Sequence, residues 1–170
     1  MNSVPYVSKR CRESPTSSGC EVARTLKEVE TDMTRSFTLT VRYAETDAQG
    51  VVHHAGYLVW FEEGRSDFLR QQGVHYRDFE KSGFFVVVAE ARVKYRAPAF
   101  YEDRVTIETT LERVRGKLIE FSYRARNEDG VLLAEGRTVH IVVGADKKPV
   151  PLPDDLMRKI GVPEPSPRKA

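Results

Sequence analysis

The chain has 170 residues, 40% of them hydrophobic, and its 27 basic and 25 acidic residues leave a net charge of +2. A chain of this length and composition favours one domain with an apolar core. The near balance of charge gives no indication of nucleic-acid binding or of a polybasic membrane surface, and no apolar run approaches the roughly 18 residues of a membrane span.

Residues 1–34 mix Ser, Pro, Thr, Arg and Glu without an apolar period, so we expect a disordered leader there. Both cysteines of the chain, Cys11 and Cys20, lie in this segment. A disulfide framework is therefore not expected, and a reducing cytoplasm is favoured. Met33 stands just before the first periodic segment and is a second candidate for the start of translation.

Residues 35–150 are predicted to form the folded domain. Apolar and polar residues alternate from Ser36 to Tyr43, which predicts a half-buried strand before a polar turn. A long helix with a stop at Gly73 is predicted next, because apolar or small residues recur at helical spacing: Tyr57, Trp60, Phe61, Gly64 and Phe68. A glycine inside a helix costs about 1 kcal/mol against alanine. Another backbone is therefore expected to pack closely against Gly64.

From Phe84 onward the apolar period changes to two, which predicts four further strands. They are expected over residues 84–97, 104–114, 119–125 and 131–143, with an Asp-Gly hairpin signal at Asp129 and Gly130. Residues 151–170 are predicted to hold a short helix and a tail. The pattern indicates an α+β fold, a five-stranded antiparallel sheet with one long helix on one face. Because the chain offers no cover for the second face, a partner subunit is expected.

The residues that lead into the long helix carry the chemistry. Asp47, Gly50, His54 and Tyr57 form the pattern D-x2-G-x3-H-x2-Y. A helix N-terminus offers free N–H groups that suit an oxyanion developing on a carbonyl, and a nearby carboxylate can activate water or attack directly. A thiol with a pKa of about 8.5 leaves with little acid help. The pattern therefore indicates thioester cleavage without a serine or cysteine nucleophile.

The segment VRYAETDAQGVVHHAGYLVWFEEGR resembles the hotdog-fold acyl-CoA thioesterases of the 4-hydroxybenzoyl-CoA thioesterase and YbgC type, and the resemblance extends over residues 36–144. It implies a sheet wrapped around the helix, and homodimers that pair sheet to sheet and assemble into homotetramers. Active sites at the dimer interface, an acyl-CoA substrate and no cofactor are implied as well. Asp47 is implied as the catalytic carboxylate, and the backbone N–H of His54 as the group that polarises the thioester carbonyl.

Substrate-binding residues are expected in two groups. Four are predicted to surround the acyl group: Gly50, Val52, His53 and Tyr57. Three basic residues on one strand face are predicted to bind the phosphates of CoA: Arg92, Lys94 and Arg96. A second basic group, at residues 113–117, is the alternative. The chain departs from common family residues at Glu45, where relatives often have Asp, and at His53 and Gly56. The departures at His53 and Gly56 leave open which acyl group the protein binds.

Several alternatives stand beside this prediction. In the first alternative, the substrate is an acyl-carrier-protein thioester. In the second, the protein binds acyl thioesters without cleaving them. A zinc site from Asp47, His53 and His54 is not expected, because adjacent histidines do not converge on one ion. Glu62 and Arg65, three residues apart, are interpreted as a helix-surface pair, and the family resemblance implies a structural or interface role as the alternative. The sequence leaves general-base and covalent roles for Asp47 equally open.

Overall fold

A computed structural model describes residues 29–160 of the chain. Five strands, three α-helices and one 3-10 helix follow one another in this order: β1 (Val29–Thr40), the 3-10 helix (Tyr43–Glu45), α1 (Gly56–Gln71), α2 (Tyr76–Lys81), β2 (Phe85–Tyr95), β3 (Arg104–Arg115), β4 (Leu118–Asn127), β5 (Leu132–Val143) and α3 (Asp154–Lys159).

The five strands form one antiparallel sheet in the order β1-β3-β4-β5-β2. Tight turns join β3 to β4 and β4 to β5, with Gly116 at φ 59° and Gly130 at φ 77°, a region that glycine enters without steric cost. α1 packs on one face of the sheet, against β1 and β3. The predicted α+β architecture of five antiparallel strands and one long helix is confirmed.

α1 forms where the apolar spacing predicts it, and its large side chains fill the core. Trp60, Phe61 and Phe68 are at most 1% exposed. The helix ends at Gly73, which has φ 72°. The Gly73 N–H donates to the carbonyl of Arg70 and the Val74 N–H donates to that of Leu69, both at 2.9 Å. This is a Schellman termination, so the predicted stop is confirmed.

Two glycines allow α1 and the sheet to approach closely. A Cβ on Gly64 would lie 2.7 Å from Oγ1 of Thr109 and 2.9 Å from Cγ2 of Ile107. The close neighbours are therefore side chains of β3, and the expected backbone contact at Gly64 is wrong. On β5, a Cβ on Gly136 would lie 2.2 Å from the ring of Phe61. The bare glycine backbone on β5 makes room for that ring.

The first strand differs from its prediction at both ends. β1 begins at Val29, inside the segment predicted as a disordered leader, and it ends at Thr40. Its early residues pair with β3, Val29 lying opposite Val114, but they lack the apolar alternation that would reveal a strand. Tyr43, predicted as the end of this strand, begins the 3-10 helix instead and is 77% exposed. Residues 1–28 and 161–170 lie outside the described residues, and the predictions for the two cysteines lie there as well.

The outer face of the sheet is polar. Arg126 lies 3.7 Å from Glu108 and Arg96 lies 2.7 Å from Glu135, and Arg137 pairs with Glu120. A face of this kind does not by itself need an apolar cover, so the partner subunit expected over this face stays a prediction. Exposed apolar residues lie instead on the edge strand β2: Val87 at 42% and Val88 at 55%.

Candidate active site

Asp47 lies in a tight turn after the 3-10 helix. Its N–H donates to the carbonyl of Val51 and its carbonyl accepts from the N–H of Gly50, both at 2.9 Å. Gly50 has φ +75°, which explains glycine at this position. The Oδ1 of Asp47 accepts from the Gln49 N–H at 2.8 Å, an Asx turn. Its Oδ2 has no hydrogen-bond partner among residues 29–160. One carboxylate oxygen is thus held while the other is free.

The approach to α1 leaves one backbone donor unused. The His53 N–H donates to the carbonyl of Glu45 at 2.8 Å, and the carbonyl of His53 accepts from Gly56 at 2.8 Å. The Ala55 N–H donates to Nδ1 of His53 at 3.3 Å. Between them, the N–H of His54 donates to no group in the described part of the chain, and His54 is exposed. The helix start therefore offers a free donor of the kind that stabilises an oxyanion.

An open cavity of about 380 Å³ joins the acidic turn to the helix start. Asp47 lines it together with His53 and Ala55, the two neighbours of His54. The remaining lining residues come from the turn and from the first turn of α1: Arg42, Ala44, Glu45, Thr46, Gly56 and Val59. A second cavity, of about 140 Å³, lies between α2 and α3 and is lined by none of these residues.

Of the four residues predicted to surround the acyl group, only His53 lines this cavity. Gly50 shapes the acidic turn. Val52 is 5% and Tyr57 is 3% exposed, and both belong to the core. Burial raises the pKa of Tyr57 to about 12, so its hydroxyl stays protonated at neutral pH. A Cβ on Gly56 would lie 3.2 Å from Cγ1 of Val52, which explains why a small residue follows the histidines.

The side chain of His54 stacks on that of His53, with ring centroids 4.1 Å apart and a tilt of 39°. The carbonyl of His54 accepts a hydrogen bond from the hydroxyl of Tyr95 on β2 at 2.9 Å. The sequence analysis missed Tyr95, and no local signal could have found it, because the two residues are 41 positions apart. This bond fixes the peptide that follows the free N–H.

The basic residues of β2 lie away from the acidic turn within one chain. Side chains alternate along a strand, and Tyr95 points to the helix start, so Arg92, Lys94 and Arg96 point to the outer face. Arg92 lies 2.5 Å from Glu90 and Arg96 lies 2.7 Å from Glu135. Two of the three predicted phosphate ligands are thus already paired with carboxylates.

Glu45 belongs to the site, although its sequence position drew notice only as a departure from the family. Its Oε1 accepts from Nε1 of Trp60 at 3.0 Å and from Nη2 of Arg42 at 2.9 Å. Burial favours the protonated carboxyl, but the hydrogen bonds from Arg42 and Trp60 outweigh it, and the pKa of Glu45 lies below its ordinary value. Glu45 is therefore a charged side chain whose acceptors are occupied.

Arg65 lies deeper along α1 and is 8% exposed. Its Nε donates to the hydroxyl of Tyr76 at 2.9 Å, and its Nη1 donates to that of Tyr123 at 3.3 Å. The predicted surface pair with Glu62 is therefore wrong. Arg65 faces inward because the apolar face of α1 is wider than the sequence spacing indicated.

The hydroxyl of Tyr123 continues this chain of hydrogen bonds into β5. It lies 2.8 Å from Oγ1 of Thr138, which lies 2.7 Å from Nε2 of His140. Burial, with the Arg65 cation nearby, lowers the pKa of His140 to about 3. The imidazole is therefore neutral at physiological pH.

Within residues 29–160, no three His, Cys, Asp or Glu side chains converge as metal ligands would. In the same part of the chain, no helix is long and apolar enough to cross a membrane.

Residues 41–160 match the sequence model of the thioesterase-like superfamily. The chain belongs to this superfamily. It is 33% identical over 118 residues to the acyl-CoA thioester hydrolase YbgC of Escherichia coli, which covers 69% of this chain and 88% of that protein. Over 124 residues it is 33% identical to the 1,4-dihydroxy-2-naphthoyl-CoA hydrolase of Thermosynechococcus vestitus, covering 72% of this chain and 85% of that one.

A solved structure of the same superfamily supports the fold. The DHNA-CoA thioesterase from Staphylococcus aureus matches with a TM-score of 0.68 and 34% identity, over 70% of this chain and 80% of that one. The predictions of a hotdog fold and of a thioester hydrolase are thereby confirmed.

Proposed function

We propose that this thioester hydrolase cleaves acyl-CoA to a free carboxylic acid and CoA, with Asp47 as the catalytic carboxylate and the His54 N–H as donor to the thioester carbonyl. One observation carries the proposal. Asp47, whose Oδ2 has no partner among residues 29–160, lines an open cavity together with His53 and Ala55, the residues on either side of the unpaired His54 N–H. Relatives named as hydrolases of acyl-CoA and of 1,4-dihydroxy-2-naphthoyl-CoA support the substrate class.

The free N–H and the free carboxylate oxygen have separate tasks in this reaction. The His54 N–H binds the carbonyl oxygen as negative charge develops on it. In one route, Oδ2 of Asp47 takes a proton from water while the water oxygen bonds to the carbonyl carbon, and the tetrahedral intermediate then expels the thiolate. In the other, an Asp47 oxygen attacks the carbonyl carbon, the C–S bond breaks and the thiolate leaves, and water then hydrolyses the mixed anhydride to the free acid and the Asp47 carboxylate. Each route consumes one water.

The site has few groups that could donate a proton to the leaving group, and the cleavage of a thioester requires little acid catalysis. The thiol of CoA, with a pKa near the ordinary value of about 8.5, leaves as a thiolate. Tyr57 is buried and its pKa of about 12 keeps its hydroxyl protonated. An amide would need a proton on its leaving nitrogen, so we expect thioesters to be cleaved and amides to persist.

We further propose a homodimer that assembles into a homotetramer, as the family resemblance implies. The support lies in β2, an edge strand with Val87 and Val88 exposed, because such an edge can pair with another chain. Arg92, Lys94 and Arg96, which are exposed, are proposed to bind the phosphates of CoA. The absence of cysteine after Cys20 supports a cytoplasmic location.

Thiol release from an acyl-CoA panel tests the function. The panel runs from acetyl to palmitoyl and includes benzoyl and 4-hydroxybenzoyl esters. Asp47→Asn is measured beside Asp78→Asn, a control on α2 whose side chain is 70% exposed. Asp47→Asn is expected to fold normally and to lose about 10²- to 10⁴-fold in turnover, while the control keeps its activity.

Each other outcome has a defined meaning. Full turnover by Asp47→Asn would contradict the assignment. Release from acyl-carrier-protein thioesters alone would change the substrate. Binding of acyl-CoA without release from either carrier would indicate a non-catalytic acyl-thioester binding protein.

A further inference from the structure

The acidic turn contains two carboxylates, two residues apart, that both line the same cavity. Asp47 has a free oxygen, whereas Glu45 accepts hydrogen bonds from three donors. Its Oε1 accepts from Nε1 of Trp60 and from the guanidinium of Arg42, and its Oε2 accepts from the backbone N–H of Arg42 at 2.8 Å. The side chain of Glu45 is 10% exposed. A carboxylate that is enclosed and already bonded in this way is unsuited to taking a proton from water.

The partners of Glu45 belong to three parts of the site. Arg42 lies at the exit from β1. Trp60, 1% exposed, lies one turn into α1 and packs on Tyr57 with ring centroids 4.8 Å apart. The backbone carbonyl of Glu45 accepts the N–H of His53 at 2.8 Å, just before the free donor. The side chain of Glu45 therefore bonds the acidic turn to α1, and its backbone carbonyl bonds the turn to the residues that precede α1.

We propose that Glu45 is a positioning residue, whose bonds to Trp60 and to the His53 N–H hold the Asp47 carboxylate and the His54 N–H at the separation that the reaction needs. This inference rests on the proposed function of Asp47 and His54. Geometry of this kind matters because a displacement of about 1 Å at a reacting group can cost on the order of 100-fold in rate.

The bond between Glu45 and Trp60 can be removed from either side. Glu45→Ala removes the acceptor, and Trp60→Phe removes the donor while keeping an aromatic ring in the core. Glu45→Gln keeps an acceptor oxygen for Trp60, removes the charge and replaces the Oε2 acceptor of the Arg42 N–H with an amide NH2 group. Glu128→Ala, in the exposed turn between β4 and β5, is the matched control. We measure kcat and KM for each variant on the best acyl-CoA substrate, and repeat Glu45→Ala in an Asp47→Asn background.

Glu45→Ala and Trp60→Phe are each expected to lower kcat about tenfold with KM within about twofold, because positioning acts on the chemical step. A variant that combines Glu45→Ala with Trp60→Phe should be no slower than Glu45→Ala alone, since both changes break the same Glu45–Trp60 bond. Glu128→Ala should stay near wild type, and Glu45→Gln should lose less in kcat than Glu45→Ala because it keeps the bond to Trp60. In the Asp47→Asn background, Glu45→Ala should lower kcat by much less than in the wild type, because only the His54 N–H then remains to be positioned.

Three results would overturn the inference. Unchanged kcat in folded Glu45→Ala and Trp60→Phe would make Glu45 merely structural. A loss in Glu45→Gln as large as that in Asp47→Asn, with Trp60→Phe unaffected, would make Glu45 chemically active. Full turnover by Asp47→Asn would overturn the proposed function and this inference together, whereas the first two results leave the proposed function intact.

Discussion

At the start of α1, the exposed N–H of His54 has no hydrogen-bond partner among the described residues, whereas three turns further along, the buried guanidinium of Arg65 is bonded to two tyrosine hydroxyls. Burial explains the contrast. A polar group inside the core loses free energy unless it is bonded, and one at the surface keeps water until a ligand replaces it. The unpaired N–H at the start of α1 can therefore bind a ligand, whereas the bonded guanidinium of Arg65 stabilises the core.

The largest effect is expected on kcat when the free N–H of His54 is removed. His54→Pro removes the backbone N–H, and His54→Ala keeps it. Loss of one oxyanion donor typically costs about 10²- to 10³-fold in kcat, so the proline variant should lose that much while the alanine variant stays within about fivefold.

Steady-state hydrolysis of acyl-CoA measures both variants, with circular dichroism as the check on folding. Equal losses in the two would show that the imidazole side chain acts, and not the backbone. Full activity in a folded His54→Pro variant would show that the His54 N–H does not contribute to catalysis.

The supported part of α1 should respond in stability. Gly136→Ala places a Cβ 2.2 Å from the ring of Phe61, which is stacked on Tyr123 and cannot easily move. We expect the free energy of unfolding to fall by about 3 kcal/mol, the upper end of overpacking costs. Urea denaturation measures it. A loss below about 1 kcal/mol would mean that Phe61 has room to shift.

The buried network should also make stability depend on pH. His140 has a pKa of about 3 in the folded protein, against about 6.5 in an unfolded chain. Below pH 6.5 the unfolded state binds a proton that the folded state refuses, so stability falls as the pH falls towards 3. Between about pH 7.5 and 5 this amounts to about 2 kcal/mol.

Urea denaturation of the wild type and His140→Gln at both pH values isolates this contribution. The variant should lack about 2 kcal/mol of the wild-type decline, while contributions from other groups cancel. Equal declines in both proteins would mean that His140 is protonated in the folded state.

Gly64→Ala should have the smallest effect. The new Cβ would approach Oγ1 of Thr109 and Cγ2 of Ile107 closely, at a cost of about 2 kcal/mol. Alanine in place of glycine returns about 1 kcal/mol of helix propensity. The net loss in the free energy of unfolding should be about 1 kcal/mol, and a stabilised variant would show that β3 yields at this contact.

The two regions also differ in how far the sequence predicts them. The acidic turn and the helix start are consecutive in the chain, so the spacing of Asp47, Gly50 and His54 was enough to predict their association. Apolar periodicity likewise predicted α1 and its end at Gly73. Information of this kind is local, and a pattern of residue types carries it.

Contacts between distant residues could not be predicted in this way. The hydroxyl of Tyr95 reaches His54 across 41 positions, and Arg65 meets Tyr123 across 58. Pairing with β3 orders the start of β1 although its sequence lacks a strand period. Tertiary packing decides each of these, and no periodicity records it.

The most direct test of the central claim separates binding from turnover at Asp47. Wild type and Asp47→Asn are titrated calorimetrically with a thioether analogue of the best acyl-CoA substrate, which cannot be hydrolysed, and kcat is measured on the substrate itself. If Asp47 acts on the reaction alone, Kd stays within about threefold while kcat falls at least about 100-fold. A parallel loss of affinity, or an unchanged kcat, would contradict a catalytic role for this carboxylate.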